Sequence, residues 1–461
     1  MKISRRLHRR PNPHALYVIS LGCPKNRVDT ECMLGELDAA GYHLTDDLSE
    51  AGCVLINTCG FLGAAVQEAY GEIEEIVRAK RRIGFRLVVT GCLVERLGEQ
   101  LRQDFPEIDA LLGVRTYTDI RAAMDGDLDV TPVELTPAGD ASYYLRRTPT
   151  TGQAWTYLRV ADGCENRCTY CTIPDIRGAF RSRPLEDILG EARAFAARGV
   201  KELNLIAQDT TRYGDDLYGR RSLDRLLDTL NTIDGVRWIR LLYTHPAHYD
   251  DAFIAALTRN EKVIPYLDIP LQHIADPMLR AMHRRVTKAE TISLLQTLRS
   301  TLPELVLRTT FIVGFPGETE ALFQELLDFV EEFRFERAGA FAYSREPGTP
   351  AADLPDQVPD EVKCERVDRL MRLQQRISHE QNRALQNRRL EVLVEGPTDA
   401  SPQRGYPFAG RSYADAPEID GQVFLRTLDQ ASLQPGQFVT ARIEYGYEYD
   451  LCGVVETSLS S

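Results

Sequence analysis

Three short, almost wholly apolar runs punctuate the first quarter of the chain: "ALYVISLGC" (15–23), "GCVLINTC" (52–59) and "RLVVTGC" (86–92). Between them, "RVDTECMLGELDAAG" and "LGAAVQEAYGEIEEIVRAKRR" place their apolar residues at helical spacing. Runs of this length without polar alternation suit strands buried on both faces. Strand–helix–strand repetition therefore predicts an N-terminal doubly wound parallel sheet over 14–125. Residues 126–152, "GDLDVTPVELTPAGDASYYLRRTPTTG", are rich in Pro, Thr and Asp and read as a linker.

A second alternation offers six strand candidates: "WTYLRVADGC", "KELNLIAQDT", "VRWIRLLYTHP", "IPYLDIPLQH", "LVLRTTFIVGFPGE" and "RAGAFAYSREPGT". Helical patterns such as "PLEDILGEARAFAARG" separate most of them. Six βα units predict a partial (βα)6 barrel over 153–387, with the site on the loops at the strand C-terminal ends. Its last stretch carries Val367, Leu370, Met371 and Ile377 at helical spacing. From 388 to 461 the pattern changes to short strands with Gly and Pro turns, "LEVLVEG", "PFAGRSYADAPEIDGQVFL" and "GQFVTARIEYGYEYDLCGVV". That predicts a small all-β barrel.

Composition narrows the class. The chain has 461 residues, 43% hydrophobic and 27% charged, enough for several cores. No apolar run approaches the roughly 18–20 residues a membrane span needs. The basic "MKISRRLHRR" is followed by a proline-broken stretch, so it reads as a tail and not a targeting segment; a cytoplasmic location is expected. Ten cysteines are too sparse for a disulfide scaffold and point to metal or redox chemistry. A net charge of -13 argues against a non-specific nucleic-acid binder and favours a basic partner, although a local RNA site stays compatible with it.

The densest chemistry is "GCENRCTYC" (163–171), with Cys164, Cys168 and Cys171. Thiolates are the ligands of iron–sulfur clusters, and a cubane held by three of them keeps one iron open. Gly163 and Pro174 flank the loop and suit tight backbone geometry. A zinc site would want a fourth Cys or His, which 155–180 does not hold, and a disulfide would leave one cysteine over. This loop resembles that of the radical S-adenosylmethionine enzymes. The resemblance implies a 4Fe–4S cluster whose free iron chelates S-adenosylmethionine. A low-potential electron donor then drives cleavage to a 5′-deoxyadenosyl radical, which takes hydrogen from unactivated carbon. It further implies cofactor-binding roles for Tyr170, for Gln208 in "LIAQDT" and for Gly314, with Gly317, in "TTFIVGFPGETE". A plain strand-to-helix turn at the glycines and an ordinary polar strand end at Gln208 remain open readings. Asp268, Gln272 and His273 in "YLDIPLQH" could line the pocket or orient loops.

Cys23, Cys59 and Cys92 each end an N-terminal strand. Ligands of doubly wound sheets bind beyond the strand carboxyl ends, so three distant cysteines should converge on one rim. Buried structural cysteines are the alternative. The order "LGCPKNRVDTE", "NTCGF", "TGCL", then the three-cysteine loop and a TRAM-like terminal barrel, resembles the methylthiotransferase family over essentially the whole chain. The resemblance implies a second 4Fe–4S cluster on this trio, whose open iron holds a sulfur that is methylated and joined to substrate carbon. Within the family, "GRSYADAPEIDGQVFL" (410–425) is similar to the group that modifies the β-carbon of an aspartate in small-subunit ribosomal protein S-twelve. A group acting on a modified adenosine beside the transfer-RNA anticodon is the alternative. A ferredoxin-like carrier has no use for open irons. From 391 to 461 there are four Arg, no Lys and eleven Asp or Glu, so "YADAPEID" and "EYGYEYD" are expected to form an acidic, tyrosine-rich face for a basic protein. Cys32, Cys53, Cys364 and Cys452 fit neither trio and read as core or incidental.

Overall fold

The computed structural model describes residues 12–114, 116–128, 144–152, 154–428 and 431–458, which form two compact units. The first runs to Thr150 and also takes in Thr172–Gly178. Its parallel sheet has the order β2-β1-β3-β4-β5, with β1 Asn12–Ser20, β2 His43–Leu44, β3 Ala51–Thr58, β4 Arg86–Gly91 and β5 Ala110–Leu112. The three expected strands form its centre; the two edge strands are too short to leave a hydrophobic signature. Successive residues face opposite sides. Val54 and Ile56 pack with α2 (Gly63–Ile83) and α3 (Cys92–Asp104), while Cys53 and Leu55 pack with α1 (Pro24–Ala39) and α4 (Ile120–Asp125). Helices therefore wind both faces, and the strand order reverses between β1 and β3, the place where this topology binds ligands.

The stretch expected to be a linker over 126–152 is corrected at its C-terminal end. The guanidinium of Arg147 is fully buried and donates to Glu31 at 2.7 Å, and Thr150 donates to the other Glu31 oxygen from its backbone N–H at 2.6 Å. That end is thus bolted to α1. Residues 129–143 of the expected linker lie outside the described residues.

The second unit opens with the six expected strands, all parallel and in sequential order: β6 Trp155–Arg159, then β9 Glu202–Ile206, β10 Trp238–Leu241, β11 Val263–Asp268, β12 Val306–Val313 and β13 Arg337–Ala342. A two-strand hairpin, β7 Ala161–Asp162 and β8 Arg181–Ser182, interrupts the count. The sheet is open, because β6 and β13 each have one neighbour. Leu203, Leu205, Ile239, Leu241, Leu307 and Phe311 face the helices and form the largest core. The alternate residues, Tyr157, Glu202, Arg240, Tyr266 and Arg308, face the other way.

What covers those polar residues is the C-terminal barrel, closed in the order β14-β15-β16-β18-β17 from β14 Arg389–Pro397, β15 Phe408–Arg411, β16 Val423–Arg426, β17 Phe438–Gly446 and β18 Leu451–Ser458. Buried Glu202 accepts from Arg240 at 2.8 Å and from Arg411 at 2.6 Å. Arg337 donates to Asp415 at 2.6 Å, and the Tyr266 hydroxyl donates to Asp420 at 2.5 Å. The "YADAPEID" acids are therefore not a free acidic surface, as the sequence suggested. Asp415 and Asp420 are turned inward to neutralise arginines of the parallel sheet, a long-range pairing that local composition does not reveal. Removing one partner of such a buried pair costs about 3–5 kcal/mol, because a charge is left uncompensated.

Candidate functional site

In the first unit the cysteines follow the strand ends as the topology requires. Cys23 caps the start of α1 and Cys92 is the first residue of α3, so both sit where the helix dipole favours a thiolate. Cys59 follows β3 directly. The three strand ends are laced together. Buried Asn26 donates to the carbonyls of Leu21 at 3.2 Å and Thr58 at 2.9 Å, and Thr58 Oγ1 donates to the Thr90 carbonyl at 2.6 Å. Close approach is possible because the neighbours are glycines. A Cβ on Gly22 would lie 3.3 Å from the Cys59 sulfur, and one on Gly60 would lie 2.7 Å from the Leu93 backbone. Arg177, from the short helix Ile173–Arg177, is buried in this unit. It donates through Nη2 to Asn26 Oδ1 at 2.7 Å, Asp29 at 2.8 Å and the Cys92 sulfur at 3.5 Å.

In the second unit Cys164, Cys168 and Cys171 lie on the loop after β7. The loop is held from outside. Thr169 donates to the carbonyls of Ala281 at 2.7 Å and Met282 at 3.2 Å, and the His283 ring meets the Arg167 carbonyl at 3.0 Å. Asn166 donates to Asp209 at 2.8 Å, which is shared with His248 at 2.8 Å. Asp209, His245 and His248 bring their ligand atoms within 4.8 Å of one another. Asp209 braces the loop through Asn166 and is itself engaged by His248 and Thr211, while His245 Nδ1 accepts from the Ala247 N–H at 3.2 Å.

The expected cofactor residues gather in the same unit. Tyr170 is buried edge-on to Phe315, their centroids 6.5 Å apart. Gln208 follows β9 and donates to Asp162 at 2.8 Å, leaving its buried Oε1 without a partner. Gly314 has φ +70°, and a Cβ there would lie 2.3 Å from Lys363 Cγ on the helix Asp360–Ala384. What comes close to Gly314 is thus that helix. Glu318 shapes the turn by accepting the Gly314 N–H at 2.6 Å and the Phe315 N–H at 3.3 Å. Asp268 accepts from Arg308 and the Tyr243 N–H at 2.8 and 2.9 Å; His273 Nδ1 accepts from the Ala275 N–H at 3.0 Å. Both orient loops. Gln272 bridges to Phe311 of β12 with φ 71°.

The chain is 48% identical over 441 residues to the ribosomal protein uS12 methylthiotransferase RimO of Pelotomaculum thermopropionicum, covering 95% of this chain and 98% of that one. It belongs to the RimO family. The Desulforamulus reducens protein of the same name is 46% identical over 443 residues, 95% of this chain and 98% of that one. Family models match along this RimO-family chain as uncharacterized protein family UPF0004 over 15–113, the radical SAM superfamily over 158–330 and a TRAM domain over 388–455. Among solved structures, the radical S-adenosylmethionine methyltransferase TsrM from Kitasatospora setae shares the fold, with a TM-score of 0.53 at 16% identity over 73% of this chain and 76% of that one.

The residues present fit the clusters that the RimO family implies. Burial pushes the thiols of Cys59, Cys92 and Cys164 up, the last two to about 11. Left bare they would stay protonated, and a cationic iron core supplies the charge that makes them thiolates. Neighbouring arginines were the feature that sequence reasoning missed. Nothing in "PDIRG" or "MHRRV" marks Arg177 or Arg284 as buried beside a sulfur, since only the tertiary fold brings them there.

Proposed function

We propose that this enzyme adds a methylthio group to the β-carbon of an aspartate in ribosomal protein uS12 by radical S-adenosylmethionine chemistry. The observation that carries the reading is a pair of cysteine trios, each on its own sheet, in a chain with near-full-length identity to RimO proteins. In this reading Cys164, Cys168 and Cys171 hold one 4Fe–4S cluster and Cys23, Cys59 and Cys92 the other. When bound, the first supplies the electron that cleaves S-adenosylmethionine for hydrogen abstraction and the second presents sulfur. The chain's own residues position these groups. Asn166, Thr169 and Asp209 fix the loop, Glu318 fixes the Gly314 turn, and Tyr170 walls the site with Phe315. In this reading Tyr170 and Gln208 line the cofactor site, while the close neighbour of Gly314 is the helix that carries Lys363. A low-potential donor supplies the electron, and a ribosomal substrate fits action in the cytoplasm; no helix among the described residues is long and apolar enough to cross a membrane.

The test is mass spectrometry of uS12 and of transfer RNA from a strain lacking the gene. Unmodified uS12 with unchanged transfer RNA is expected. The reverse pattern would replace this reading with the transfer-RNA one.

A further inference from the structure

Arg284 is buried in the second unit, with 4% exposure, and donates through Nη1 to the Cys168 sulfur at 3.6 Å and through Nη2 to the Pro270 carbonyl at 2.6 Å. Its Nε has no partner. Neither contact is to a carboxylate; the charge of buried Asp209 reaches Arg284 without a direct contact, and that carboxylate is already engaged by Asn166, His248 and Thr211. A buried guanidinium left this way is costly unless an anion answers it. The backbone fixes where it leaves the chain: His283, with φ 59°, ends the helix Asp276–Ala281, the Arg284 N–H returns to the Leu279 carbonyl at 2.9 Å, and Arg285 turns again with φ 53°. Arg177 offers the contrast. It also reaches a cysteine sulfur, but its charge is already matched by Asp29 at 2.8 Å.

We infer that Arg284 is the counter-ion of the cluster held by the three-cysteine loop and sets its reduction potential, whereas Arg177 chiefly orients Cys92. The inference rests on the proposed cluster ligands. A cube bound by three thiolates is anionic and gains another negative charge on reduction. A fixed cation at a ligand sulfur, in a site with little water, favours the reduced form, and hydrogen bonds to cluster sulfurs act in the same direction. Arg284 does this by touching a ligand and not the substrate, so it is a positioning residue.

The experiment is an EPR-monitored redox titration of anaerobically reconstituted full-length protein, without S-adenosylmethionine, in the Cys59→Ala background where the loop cluster alone titrates. Arg284→Gln should make its one-electron reduction at least tenfold less favourable, about 59 mV more negative. Arg177→Gln should leave this potential in place. Should Arg284→Gln not retain iron, Arg284→Lys is titrated instead. Its compact, strongly hydrated charge cannot keep both contacts, and a several-fold less favourable reduction is expected. An unshifted potential in the iron-loaded variant overturns the inference. A parent chain that takes up no iron on reconstitution would instead sink the cluster assignment itself.

Discussion

The two cysteine trios solve one problem by opposite means. One packs its cysteines into eight consecutive residues and relies on braces from elsewhere, Ala281, Met282, His283 and Asp209, to hold the loop still. The other draws its cysteines from three strand ends of one sheet and needs glycines so that those ends can touch. A local site is specified by spacing and stabilised from outside; a distributed site is specified by topology and stabilised from within.

The largest effects should come from the cysteines. Cys164→Ala should abolish 5′-deoxyadenosine formation. Cys59→Ala should spare it and stop methylthio product, because the two trios lie in separate units. Each variant should hold about half the iron. Methylthio product from Cys59→Ala would mean that the strand-end trio is structural.

Next in size is the packing of the distributed site. Gly60→Ala forces a methyl against the Leu93 backbone and should cost about 1–3 kcal/mol, with low iron occupancy of that cluster. Thr169→Ala, in the braced loop, loses one hydrogen bond and should cost about 1 kcal/mol with iron retained. Melting curves and iron assays showing equal damage would erase the distinction between the sites.

A pH-dependent effect concerns Asp209→Asn. Burial alone would raise the Asp209 carboxyl, but the hydrogen bond and charge of His248 outweigh it and hold it at about 2. A depressed folded value means that stability is present above the unfolded value near 3.8 and is lost as pH falls through about 2. The melting advantage of the wild type over the variant should therefore close as pH falls from about 4 to 2; an advantage that persists unchanged to pH 2 would overturn this.

The same contrast explains what could be read from sequence. The six central strands, the three inner strands of the first sheet and both trios follow from apolar runs and cysteine positions, which are local signals. Arg284, Arg177 and the Arg147–Glu31 pair place arginines in polar-looking stretches, and their burial depends on partners up to 151 residues away. The "YADAPEID" acids misled for the same reason. Composition gives their charge, while the fold decides whether that charge faces solvent.

One pairing also constrains how the chain is made. Glu202 and Arg411 are 209 residues apart. At roughly 5–20 residues per second of synthesis, Glu202 leaves the ribosome on the order of 10–40 s before the arginine that completes its pairing. Until then Glu202 has Arg240 but lacks its second cation, and the polar face of the sheet stands open. The nascent radical domain is thus obliged to wait for the end of its own message, and a chain that stops short of the barrel ends as a target for chaperones and proteases.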